Sequence, residues 1–249
     1  MFFNNPIANF AQPIAAAGGG YAKNIVTDGL ICYIDAGIAA SNPGSGTTWY
    51  DLTPNGFNFT LVNGAAFGGS GASAYVDFDG SNDYASNDSG TLSALGTLSA
   101  FTYQITAESS NTSEDDLFAT DGIGGEASFL LMFYGAASAV RNHLWTNGGI
   151  GVPDNTNGGA PSNNVRMGLG GGASWPNTAV FAYRSNPTST AVYVTPSGTQ
   201  PTTSAYTGVQ LGTRSRSGGA NLNGRVYNMV IYNRSLTQTE IDQNWTALV

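Results

Sequence analysis

Glycoside hydrolysis is the first chemistry to test on this sequence, because it needs little more than two carboxylates facing each other across a sugar. The four glutamates are Glu108, Glu114, Glu126 and Glu240, and none falls on an alternating strand pattern beside a second acid. The densest acidic run, Glu114-Asp115-Asp116, reads as a solvated turn. Nucleophilic catalysis has one histidine to work with, His143 in Arg141-Asn142-His143-Leu144-Trp145. No Gly-x-Ser-x-Gly elbow accompanies it, so His143 reads as a hydrogen-bonded strand residue. One histidine and one cysteine, Cys32, fall short of a zinc set. The run Gly168-Leu169-Gly170-Gly171-Gly172 has the glycines of a phosphate loop but neither its Lys-Ser/Thr pair nor a following helix. On these grounds the chain is expected not to be an enzyme.

Binding chemistry has better material. Asp77, Asp79 and Asp83 cluster around Gly80, and hard cations such as calcium take oxygen ligands. The competing reading is a tight turn capped by the Asp79 side chain, with Asp77 facing outward. Carbohydrate would be held by exposed aromatic rings beside amide and carboxylate groups. Trp145 and Trp175 are the candidate platforms, although either would also fit a core; Trp49 reads as structural. A third kind of contact is written into the N-terminus. Phe2, Phe3, Ile7 and Phe10 are apolar, Pro6 and Pro13 block a helix, and Gly18-Gly19-Gly20 makes a hinge. Disordered tails are usually charged and poor in aromatics, whereas this stretch has no charged side chain before Lys23. Residues 1–24 are therefore read as an arm that docks on a partner, with a frayed tail as the alternative.

The elements that must position these groups are mostly strands. Leu30, Cys32 and Ile34 alternate with Ile31, Tyr33 and Asp35. Phe57, Phe59 and Leu61 alternate with polar residues before an Asn63-Gly64 turn, and Val76 and Phe78 do so before Asp79-Gly80. Phe101, Tyr103 and Ile105 oppose Thr102, Gln104 and Thr106. Phe129–Tyr134 is apolar on both faces, as suits a strand covered on both sides. Gly148 to Gly172 reads as long loops. One helix is expected at the C-terminus: Thr237 and Glu240 make a capping box, and Ile241, Trp245 and Leu248 form one apolar stripe. Residues 25–249 then form a single all-β domain, a length such folds use routinely.

Composition limits the partners. Charged residues are 10% of the chain, so the polar surface comes from Gly, Ser, Thr and Asn. The net charge of −8 and the lack of basic runs argue against nucleic acid and against anionic membranes. No segment reaches the ~20 apolar residues of a membrane helix. The N-terminus lacks the basic and apolar regions of a signal peptide, so synthesis in a cytoplasm without secretion by the standard route is expected. The lone Cys32 sits in an apolar strand and reads as a small buried hydrophobe.

Three segments carry a resemblance. The first joins Gly29–Gly37 to Pro43–Leu52, including Trp49-Tyr50-Asp51. The second is Phe78-Asp79-Gly80-Ser81-Asn82-Asp83-Tyr84. The third runs from Leu222-Asn223-Gly224-Arg225-Val226 through Ile231–Thr237 to Glu240-Ile241. In order and spacing they resemble the laminin G-like, concanavalin A-like domains found in many bacteriophage structural proteins, over roughly residues 25–249. The resemblance implies two facing antiparallel sheets in a jelly-roll β-sandwich, with the helix docked beside the terminal strands. Glycanases of that fold carry a Glu-x-Asp-x-x-Glu-like strand motif, which is absent here, and laminin G-like relatives often bind calcium. The expected function is a non-enzymatic virion surface protein, a capsid decoration or tail appendage, present in many copies and anchored by its arm to other virion proteins. The alternative is a lectin-like adhesion module for a host-surface glycan.

Overall fold

The computed structural model describes residues 21–87, 100–110, 114–122, 127–134, 139–144, 167–174, 178–184, 192–194, 206–213 and 221–248. Among these, fifteen strands run in chain order: β1 (Leu30–Asp35), β2 (Thr48–Trp49), β3 (Phe59–Val62), β4 (Ala66–Gly68), β5 (Tyr75–Asp79), β6 (Tyr84–Asn87), β7 (Ala100–Ser109), β8 (Glu114–Gly122), β9 (Ala127–Tyr134), β10 (Ala139–Leu144), β11 (Met167–Ser174), β12 (Thr178–Arg184), β13 (Val192–Val194), β14 (Tyr206–Leu211) and β15 (Asn223–Tyr232). Helix α1 (Gln238–Leu248) follows. The larger sheet has the order β13-β12-β11-β7-β15-β5-β4, with β1 also paired to β15. The smaller sheet has the order β10-β9-β8-β14-β6-β3-β2. Every pairing is antiparallel, and the two sheets make a β-sandwich with one C-terminal helix.

Strand alternation places the core. Cys32 and Ile34 on β1, Val76 and Phe78 on β5, and Tyr103 and Ile105 on β7 all point between the sheets and are buried. Trp49, Phe59 and Phe118 meet them from the smaller sheet. Two glycines are dictated by close approach. Gly80 has φ +78°, and a Cβ there would stand 2.7 Å from the Asn223 side chain, so the β5–β6 turn can fold against β15 only with glycine. A Cβ at Gly224 would run into the Glu108 carbonyl oxygen.

Helix α1 covers part of the outward face of the larger sheet. Thr237 N–H donates to Glu240 Oε2 at 2.8 Å and Glu240 N–H donates back to Thr237 Oγ1 at 3.3 Å, the reciprocal box the sequence predicts. Ile241, Trp245 and Leu248 bury against Tyr33, Val230 and Tyr232, with Ile25 and Val26 alongside. Among the described residues no helix is long and apolar enough to cross a membrane.

Two segments depart from the sequence reading. Met167–Ser174, expected within a loop, is a strand paired to β7 on one side and β12 on the other. Glycine weakens a strand, but from Gly168 to Ser174 a ladder on both edges gives the backbone partners on either side. Glu114-Asp115-Asp116, expected as a solvated turn, opens β8. Asp115 is fully buried and accepts a short hydrogen bond from the Ser109 hydroxyl, which compensates its carboxylate inside the sandwich.

Candidate binding face

The three aspartates expected as calcium ligands lie on and just after β5, and the fold divides them among different partners. Asp77 points outward and is bound by Arg225, Nε to Oδ1 3.2 Å. Asp79 accepts from the Ser81 N–H at 2.8 Å and so caps the turn. Asp83 is buried; its Oδ2 accepts from the Asp79 N–H at 3.2 Å. A Cβ at Gly64 would stand 2.9 Å from Asp83 Oδ1, so backbone packs against that oxygen. Burial and the neighbouring Asp79 charge push the Asp83 carboxyl up from its ordinary range. Among the described residues no group of three or more His, Cys, Asp or Glu side chains is placed to hold a metal ion. The three aspartates do not converge, and their geometry does not fit a shared calcium ion.

Asp77 belongs instead to a row across the outward face. On β5, Val76 and Phe78 point into the core, so Tyr75 and Asp77 point out. Asp77 is paired with Arg225 of β15, and Arg225 with Glu108 of β7. The Arg225 guanidinium lies between the two carboxylates, with Nη1 2.9 Å from Glu108 Oε1. It also sits 4.2 Å over the Tyr75 ring. A bulge between Val226 and Asn228 turns Tyr227 outward, and its hydroxyl donates to Glu108 Oε2 at 3.0 Å. Tyr75 and Tyr227 meet edge to face with centroids 6.0 Å apart. A Cβ at Gly68 would stand 2.5 Å from the Tyr75 ring, so glycine is what allows that ring its place. Partial burial works against the Arg225 charge, but Asp77, Tyr75 and Glu108 outweigh it and hold the guanidinium charged.

The row is graded from open to closed. The Asp77 and Arg225 side chains are 59% and 41% exposed, whereas that of Glu108 is 8% exposed. A solute can therefore reach Asp77 and Arg225, while Glu108 and Tyr227 hold Arg225 from behind. Sequence reasoning picked out Asp77 but missed Arg225, Glu108, Tyr75 and Tyr227 as a unit. The available signal was the outward alternation of Tyr75 and Asp77. The candidate platforms Trp145 and Trp175, and the arm residues Phe2, Phe3, Ile7 and Phe10, lie outside the described residues.

The fold defines a class, the antiparallel jelly-roll-like β-sandwich, and solved structures share it. A Trypanosoma rangeli sialidase in complex with the inhibitor DANA superposes at TM-score 0.60 with 13% identity, covering 94% of this chain and 34% of that one. A mutant of that sialidase displaying trans-sialidase activity gives 0.65 and 14%, covering 94% and 35%. The botulinum neurotoxin type G receptor binding domain gives 0.62 and 9%, covering 88% and 51%. The chain thus spans about a third of the length of the sialidases and about half that of the neurotoxin domain. No protein-family model and no curated protein matches the chain. At such identities the likeness shows the fold alone. It nonetheless corrects one expectation, that the chain is not an enzyme. That exclusion rested on missing motifs for a few chemistries, and this fold matches about a third of the length of chains that are sialidases.

Proposed function

We propose that the chain is a surface subunit of a bacteriophage virion, a capsid decoration or tail appendage held in place by its N-terminal arm. The observation that carries this reading is how the root of the arm is fastened. The Tyr21 ring stands edge-on to Tyr33 at 5.4 Å, and Lys23 Nζ is 2.8 Å from the buried Asp35 carboxylate. The stretch ahead of Tyr21 carries Phe2, Phe3, Ile7 and Phe10 and no charged side chain, so it leads from a fastened root yet is poorly suited to water. Burying those four side chains on a neighbour contributes roughly 1.5–3 kcal/mol each, offset in large part by ordering the chain. Many copies on one particle would strengthen so moderate an anchor. The laminin G-like resemblance of the phage type adds support, because its three segments meet in one frame. The Tyr33 N–H donates to Asp51, the Asn233 N–H to the Gly29 carbonyl, and Asn223 pairs with Asp79. Deleting residues 1–17 should leave a folded protein that no longer joins particles. Incorporation of the truncated protein at full stoichiometry would move the docking surface to the sandwich.

A second reading, recognition of a host-surface glycan by the displayed sandwich, is favoured by the open Asp77–Arg225 row. The fold it shares with a neurotoxin receptor binding domain is in keeping with this. The two readings are compatible, since an appendage can be both anchored and adhesive.

A further inference from the structure

We infer that the Tyr75–Asp77–Arg225 corner is the ligand subsite of this sandwich, and that it takes a neutral, hydroxyl-rich sugar rather than an acidic one. The inference rests on the glycan reading above and gives it a place and a ligand class.

Hydrogen-bonding capacity comes first. Arg225 uses Nε on Asp77 and Nη1 on Glu108, and its Nη2 makes no hydrogen bond to a described residue. Asp77 uses Oδ1, and its Oδ2 likewise makes no hydrogen bond to a described residue. Donor and acceptor therefore stand side by side at the two exposed members of the row. A pair of adjacent sugar hydroxyls, each both donor and acceptor, answers that arrangement. The hydrogen bonds would be charge-assisted on both sides.

Rigidity comes second. Glu108, buried and bonded to the Tyr227 hydroxyl, fixes one edge of the guanidinium, and the Tyr75 ring fixes its face. Little side-chain freedom is left for a ligand to freeze, which favours weak polar ligands that cannot offset a large ordering cost.

Charge decides the class. One guanidinium between two carboxylates leaves the row at +1 − 2 = −1, on a protein whose formal net charge is −8. A carboxylated or sulfated sugar would have to approach Arg225 past Asp77 and against the field of the whole chain. A neutral sugar meets no such opposition.

The test uses the full-length protein and an array of neutral gluco-, galacto-, manno- and xylo-oligosaccharides beside sialylated and sulfated ones. Wild type should bind at least one neutral glycan. Asp77→Ala and Arg225→Gln should each weaken that binding about tenfold or more, the scale of a lost charge-assisted hydrogen bond. Asp77→Ala removes an exposed side chain, so its melting temperature, measured in parallel, separates lost binding from lost fold. Neutral-glycan binding that survives both substitutions would overturn the subsite while leaving the glycan reading intact. Binding confined to acidic glycans would overturn the ligand class. Binding of no glycan at all would end the glycan reading and this inference with it.

Discussion

Strands β7 and β15 pass beneath two unlike halves of one sheet face. At one end the outward residues Thr102, Gln104, Val230 and Tyr232 lie under α1. At the other end Glu108, Arg225 and Tyr227 face outward, and among the described residues no helix lies above them. The covered half is an apolar cluster threaded by a polar network whose central members carry no formal charge. Asn244 donates to Gln104 at 2.6 Å and to the Tyr232 hydroxyl at 2.9 Å, and accepts from the Val26 N–H at 2.8 Å. Gln104 in turn donates to the Ile241 carbonyl at 3.1 Å, which locks the helix to the sheet. Neutral amides suit such a layer, because unpaired charges beneath a helix would face a large desolvation cost. The open half uses ions, whose exposed pairs contribute little to stability. The lesson is a division of labour: the covered half holds the fold, and the open half is free to meet a ligand.

The covered half should be the costly one to disturb. Trp245, fully buried in the helix stripe, should lose about 3–5 kcal/mol on replacement by Ala, read as a shift in the urea midpoint. Asn244→Ala strands the Val26 N–H and the Gln104 oxygen in a buried layer and should cost about 2–3 kcal/mol by the same measurement. If the helix packed loosely, both losses would shrink below about 1 kcal/mol.

A smaller effect comes from the edge of that half. Arg234 bridges Glu240 and Asp28, with Nη2 2.6 Å from Glu240 Oε1. The Arg234 hydrogen bond and the helix cap hold the Glu240 carboxyl at about 2, below its ordinary 4.5. A depressed carboxyl contributes stability in full above the ordinary value and loses it as pH falls toward the folded value. Glu240→Gln should therefore cost about 1 kcal/mol at neutral pH, and the gap to wild type should close between about pH 4.5 and 2. A gap constant with pH would detach the cap from the ion pair.

Much of the covered half was legible in the sequence. The Thr237–Glu240 box, the stripe of Ile241, Trp245 and Leu248, and the alternations on β1, β5 and β7 are local patterns, and local patterns survive folding. The row of Asp77, Arg225 and Glu108 was not legible as a row. Its members are 148 and 117 residues apart, and only the strand order β5-β15-β7 brings them together. The strand at Gly168–Gly172 was hidden for a related reason: its support comes from the neighbours β7 and β12, not from its own residues. Asp115 was misjudged because a carboxylate beside two other acids looks solvated, and nothing local reveals that the Ser109 hydroxyl meets it in the interior.

The division of labour is tested most directly by unfolding Asp77→Ala and Asn244→Ala in urea side by side. Asp77 is 59% exposed and paired at the surface, so its removal should leave stability within about 0.5 kcal/mol of wild type, while Asn244→Ala loses several times that. Equal losses in the two variants would contradict the account, because the open row would then be part of what holds the sandwich together.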